Sequence, residues 1–184
     1  MIRPEFRKLL MDQRGAAVIL WSFFMISIVI YIVITHNVLA NPKYARGLSF
    51  AETARLVLWF LVVVDLGYYF FWKNRYLAPE SILQGSQKTK VFRALQEHKG
   101  SIEERAAAVV STFVTRKVVI FAIIEAIAVY GLVLAIVGRY LLDQYLLSAL
   151  SLALLAFEYP TERFLRGLLQ AVEGSPAQTD AKQR

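Results

Sequence analysis

The chain contains no cysteine, which excludes disulfides, thiolate metal ligands and cysteine nucleophiles and leaves the compartment open. Histidine is almost missing too. His36 closes the first apolar run and His98 lies in a basic loop, so they are not expected to share a site, and no nucleophile, His and acid set is visible. No phosphate-binding glycine loop or dinucleotide motif occurs. An enzyme is therefore not expected, nor a metal or other cofactor. Nine Gly and five Pro in 184 residues leave few places to break a helix.

What fills the sequence is apolar. Hydrophobic residues make up 57% and the mean hydropathy is +0.48, above the usual apolar share of about 45–50% for a soluble domain. The expected class is an all-α, multi-pass integral membrane protein with four transmembrane helices. Candidate spans are Gly15 to Pro42 without a formal charge, Leu56 to Trp72 interrupted by Asp65, Val118 to Gly138 interrupted by Glu125, and Tyr140 to Phe157. The last is the weakest. Its uncharged part, Gln144 to Phe157, reaches only about 21 Å as a helix, so it crosses with Asp143 at the interface, crosses a thinned bilayer, or is re-entrant. The first run is too long for a signal peptide and is expected to stay as an anchor.

The net charge of +7 would suggest nucleic acid in a soluble protein, but position carries more than the total here. Seventeen of the 21 basic residues fall before the first span, between the second and third, or after the fourth, leaving Lys43, Arg46, Arg55 and Arg139 on the other side. This bias predicts cytoplasmic termini and a cytoplasmic central loop, with a bacterial inner membrane as the expected setting. The expected partners are the lipid bilayer and other membrane-protein subunits or further copies of the chain, and no nucleic acid.

The organisation divides into a cytoplasmic segment at 1–14, a first transmembrane hairpin at 15–72, a cytoplasmic loop at 73–117, a second hairpin at 118–157, and an interfacial segment with a disordered tail at 158–184. Ile2, Phe6, Leu9 and Leu10 among basic residues read as a surface helix or as a flank that only sets topology. Asn41-Pro42 and Gly47 mark a loop, and Ser49 to Glu52 has capping-box spacing. Pro79 and Gly85 read as irregular, and Thr89 to His98 as a short basic helix ended by Gly100. From Ser101, a second capping box, one helix is predicted to Gly138, about 57 Å long, with its first turns projecting into the cytoplasm. Its stripe of Ile102, Val109, Val110, Phe113 and Val114 needs a cover, either the 89–98 helix or another protein. After the fourth span, Phe164, Leu165, Leu168, Leu169 and Val172 form an amphipathic segment expected at the inner interface. Trp59, Trp72, Tyr140 and Tyr159 fall near predicted helix ends, as headgroup-level anchors do.

Two acids fall near the bilayer midplane, Glu125 and Asp65. An ionised carboxylate there costs several kcal/mol, roughly 2.5–3.5 on insertion scales, so it faces a partner, a cavity or an ion path. With no basic residue at that depth, the neutral form of at least one is favoured. Tyr68 and Tyr69, at i+3 and i+4 from Asp65, are the expected neighbours. Such a carboxyl either carries a proton or cation, or fixes helix register through a hydrogen bond. Ala128, Gly131, Ala135 and Gly138 share one side of the third helix, and Ser148, Ala149, Ser151, Ala153 and Ala156 offer small positions on the fourth. Close packing of this hairpin follows.

The run Ile123-Ile-Glu125-Ala-Ile-Ala-Val-Tyr130-Gly131-Leu132-Val-Leu-Ala-Ile resembles the carboxylate-bearing helix of rotary ATPase proteolipids, the ring subunits of F- and V-type enzymes. That resemblance, over about 16 of 184 residues, implies Glu125 as an ion-binding carboxylate, with Asp65 and Tyr130 as further ion-binding or proton-carrying candidates. The bulky first span (Trp21, Phe23, Phe24, Tyr31) and the long projection depart from the proteolipid pattern. The whole chain therefore reads first as a structural or accessory membrane subunit that holds partner chains, and second as a proton- or cation-handling subunit.

Overall fold

The computed structural model describes residues 4–40, 49–85 and 102–174. The described residues form six helices: α1 (Pro4–Ala40), α2 (Ala51–Tyr76), α3 (Pro79–Gly85), α4 (Ile102–Gly138), α5 (Leu141–Phe157) and α6 (Glu162–Gly174). Three of them, within α1, α2 and α4, are long and apolar enough to cross a membrane, and up to four spans result if α5 and α6 together make one. The protein is all-helical in its described part. The loop at Asn41 to Gly47, the Thr89 to His98 helix with Gly100, Ser101 and the tail beyond Gly174 lie outside the described residues.

Helix boundaries differ from the sequence reading in two places. α1 runs unbroken through Gly15 from Pro4, because a single glycine costs a helix only about 1 kcal/mol relative to alanine and the apolar run continues on both sides. Pro79 and Gly85 bound a short helix instead of an irregular stretch. Proline suits the first helical position, where its missing N–H would have no partner anyway, and Glu80 adds an acid at the positive end.

The chain divides into two compact units. The first draws on residues 1–18, 74–117 and 160–184. Its core holds Ile82, Val109, Val110 and Phe113, with Leu165, Leu168, Leu169 and Val172 of α6. Phe113 meets Phe164 with ring centroids 5.3 Å apart, and α3 contacts α6. The stripe on the first turns of α4 thus meets α6 of the same chain at Phe113 and Phe164, and its other expected cover, the 89–98 helix, lies outside the described residues. Conversely, the apolar face of α6 is buried in protein, where the sequence suggested a membrane interface. Arg116 ties this unit by donating to the Tyr76 carbonyl and to Ser81 Oγ, and Arg14 donates to Pro160 O at 3.0 Å and Glu162 at 2.6 Å.

The second unit comprises residues 19–73 and 118–159. Val62, Ile127, Leu134 and Leu147 form its central cluster, with Trp59, Leu66, Tyr130 and Tyr140 packed on it. Trp59 and Tyr140, expected as headgroup-level anchors, are partly buried against this cluster. α4 and α5 join through Arg139, which adopts φ 59°. Arg139 N donates to Ala135 O at 3.0 Å, the C′-to-C3 bond of an αL cap, and Tyr140 N to Leu134 O at 3.3 Å. That turn reverses the chain without a loop.

Close packing of the α4–α5 hairpin is present, on a narrower set of small residues than expected. A Cβ on Gly131 would lie 3.1 Å from Gln144 Cα and 3.2 Å from Leu147 Cβ, and one on Gly138 would strike the Tyr140 ring. Ala128, Ala135, Ser148 and Ser151 are buried. Ala153, expected in this contact, is exposed, as are Ala149 and Ala156. The reason is helical phase: Gln144, Leu147, Ser148, Ser151 and Leu155 recur at spacings of three and four on the inner face, and these alanines fall opposite.

Candidate intramembrane carboxyl site

Glu125 projects from α4 toward α1. Its Oε1 accepts from Ser27 Oγ at 2.6 Å and from Tyr31 OH at 2.7 Å, donors one turn apart on the same side of α1. Two neutral hydroxyls thus serve a single carboxyl oxygen. This fits a group far from any counter-charge, since each donor satisfies the acid without adding a second charge to hydrocarbon.

Asp65 is treated in the same way by a different helix. Tyr130 OH of α4 donates to its Oδ2 at 2.9 Å. Tyr68, expected beside it, is exposed, and Tyr69 is buried elsewhere. Tyr130 follows Glu125 by five residues, about 140° around a helix at 3.6 residues per turn. The two acids therefore sit on different sides of α4, and the three candidates Glu125, Asp65 and Tyr130 do not converge on one point.

Two further acids belong to the same unit, and sequence reasoning missed their roles. Asp143, 4% exposed at its side chain, receives Arg55 Nε at 2.6 Å and Nη2 at 3.0 Å, while the guanidinium lies 4.7 Å from the Tyr140 ring centroid. Glu158, 2% exposed, receives Lys73 Nζ at 2.6 Å and Tyr69 OH at 2.7 Å. The available signal was helix-end matching: Arg55 and Asp143 each open a helix, whereas Lys73 and Glu158 each close one. In a parallel pair such ends lie level, and charge of opposite sign there marks a contact.

Further polar side chains link α1 and α4 to α5. Trp21 Nε1 donates to Leu155 O at 2.7 Å, Gln144 Nε2 to Tyr31 O at 3.2 Å, and Ser151 Oγ to Ile124 O at 3.0 Å. Among the described residues no three His, Asp or Glu side chains converge as a metal site would require. Comparison with known protein families, with curated proteins and with solved structures gave no match to this chain.

Proposed function

We propose that the chain is an accessory integral-membrane subunit, a rigid helical bundle that holds partner chains in the bilayer. One observation carries this reading. Asp65, Glu125, Asp143 and Glu158 each take their donors from another helix of the same unit, so the acids act as ties between helices. Ties of this kind favour one fixed arrangement over a mobile one. The apolar side chains left outside, such as Phe23, Ile26 and Val33 on α1 and Phe60, Val63 and Phe71 on α2, offer surface to lipid and to partner helices. The positive-inside bias supports cytoplasmic termini and a cytoplasmic central loop.

The test compares Glu125→Gln with Phe60→Asn and Val63→Asn in the protein's native membrane. Glu125→Gln is expected to keep fold and assembly size, read by native mass spectrometry in detergent, while the α2 substitutions dissociate the assembly. Retention of the assembly by both α2 variants would sink the proposal.

A second reading, proton or cation handling at Glu125, is supported by one feature. Both donors fall on Oε1 and both are neutral, as a carboxyl that changes its protonation state requires. It agrees with the proteolipid resemblance of the surrounding run. Loss of a flux in proteoliposomes by a fully folded Glu125→Gln protein would establish it.

A further inference from the structure

Next to Glu125, the α1–α5 seam holds three buried polar atoms with no hydrogen-bonding partner among the described residues: Thr35 Oγ1, Gln144 Oε1 and Ser148 Oγ. Their residues are 1%, 0% and 1% exposed. Buried groups of this kind are almost always satisfied, and where protein does not reach them ordered water does. Thr35 would back-bond to Tyr31 O, but that carbonyl already accepts Gln144 Nε2.

The register places these atoms in one direction from Glu125. Trp21 meets Leu155, Tyr31 meets Gln144 and His36 meets Tyr145, so α1 and α5 run antiparallel. Gln144 therefore lies level with Tyr31, Thr35 one turn beyond it toward His36, and Ser148 one turn nearer the Ser27 level, where Glu125 is held. Beyond Thr35 the seam opens at exposed His36 and Tyr145. In the other direction it closes: Phe24 and Phe121 pair at 5.8 Å between centroids, three and four residues before Ser27 and Glu125, with Ile120, Ile124 and Leu155 fully buried around that level.

We propose that ordered water fills this seam and is the route by which the Glu125 carboxyl exchanges its proton with one end of the bundle only, the end bearing His36 and Tyr145. Glu125 releases its proton to a seam water, the proton leaves as hydronium along Ser148, Gln144 and Thr35, and the same path returns it. No other reactant is needed. The groups around Glu125 suit water: Gln144 Oε1 only accepts, and the two hydroxyls both give and take. Tyr31 is the titratable group that α1 brings to Glu125. On the α5 side the level is occupied by Ser148 and Ser151, and Asp143 is engaged by Arg55. On α4 Tyr130 is turned to Asp65 of α2. The inference rests on the second reading above, proton exchange at Glu125, and not on the assembly role.

The absence of cysteine permits a direct test in the full chain, reconstituted in liposomes in one orientation. Thr35→Cys and Ser148→Cys, both nearly isosteric, are exposed to silver ion on either side, with Ile120→Cys as the control beyond the aromatic pair. The first two thiols are expected to react about tenfold faster from the His36 side than from the other, since a hydrated ion crosses hydrocarbon poorly. Equal rates from both sides, or rates no faster than at Ile120→Cys, overturn the proposal. An infrared carboxyl band, assigned through Glu125→Gln in the otherwise native chain, provides a second reading free of cysteine effects. It should follow the pH of the His36 side alone. A band that follows the opposite side, or that shifts with sodium at constant pH, overturns the proposal, the latter in favour of a bound cation.

Discussion

Tyr31 holds Glu125 from a helix 94 positions earlier in the chain, its hydroxyl 2.7 Å from the same carboxyl oxygen that Ser27 reaches. The α1–α4 contact is therefore built around one acid. Intramembrane hydrogen bonds of this sort contribute about 0.6 kcal/mol on average and up to ~1.7. A double-mutant cycle with Tyr31→Phe and Glu125→Gln should return a coupling within that range when unfolding is followed in mixed micelles. A coupling of zero would mean that the contact contributes nothing to stability.

For Asp65 the partner is Tyr130, so Tyr130→Phe should destabilise the protein by roughly 1–2 kcal/mol through an acid left without its donor. Tyr68→Phe should be neutral, because Tyr68 is exposed. The same unfolding assay distinguishes them, and equal effects would contradict the geometry.

Gly131 and Gly167 should respond in opposite directions. Gly131→Val would force α5 away from α4, since even a Cβ there lies 3.1 Å from backbone, and overpacking of this kind costs about 1–3 kcal/mol. Gly167, in mid-α6, has nothing within 4 Å of the point a Cβ would occupy, and should gain about 0.5–1 kcal/mol as alanine. Thermal midpoints of the two variants provide the check.

Arg139 occupies the left-handed region at φ 59°, where a non-glycine residue is strained by roughly 1–2 kcal/mol. Arg139→Gly should raise the thermal midpoint while leaving the α4–α5 turn unchanged. Arg139→Val, β-branched at the same place, should lower it.

Much of this architecture was legible in the residues. The apolar runs and capping signals placed α2 and α4 to within a few positions, and the uninterrupted stretch from Ile102 to Gly138 was readable because nothing in it breaks a helix. Gly131 marked the close approach to α5. Partner choice was less legible. Tyr68 and Tyr69 neighbour Asp65 along α2, yet the bond comes from Tyr130, because the rotation of α2 within the bundle turns Tyr68 outward and sends Tyr69 to Glu158. Ala153 looked equivalent to Ser148 by size alone, and only helical phase separates them.

Composition, charge bias and period thus determined by themselves that this is a helical chain with membrane-spanning candidates and two acids deep within them, since burying backbone in hydrocarbon leaves few other solutions. Which hydroxyl meets which carboxyl, and which helix packs on the stripe of α4, only the tertiary structure decided. Those contacts depend on how helices rotate and slide against one another, and that is set by packing summed over the whole bundle rather than by any local run of residues.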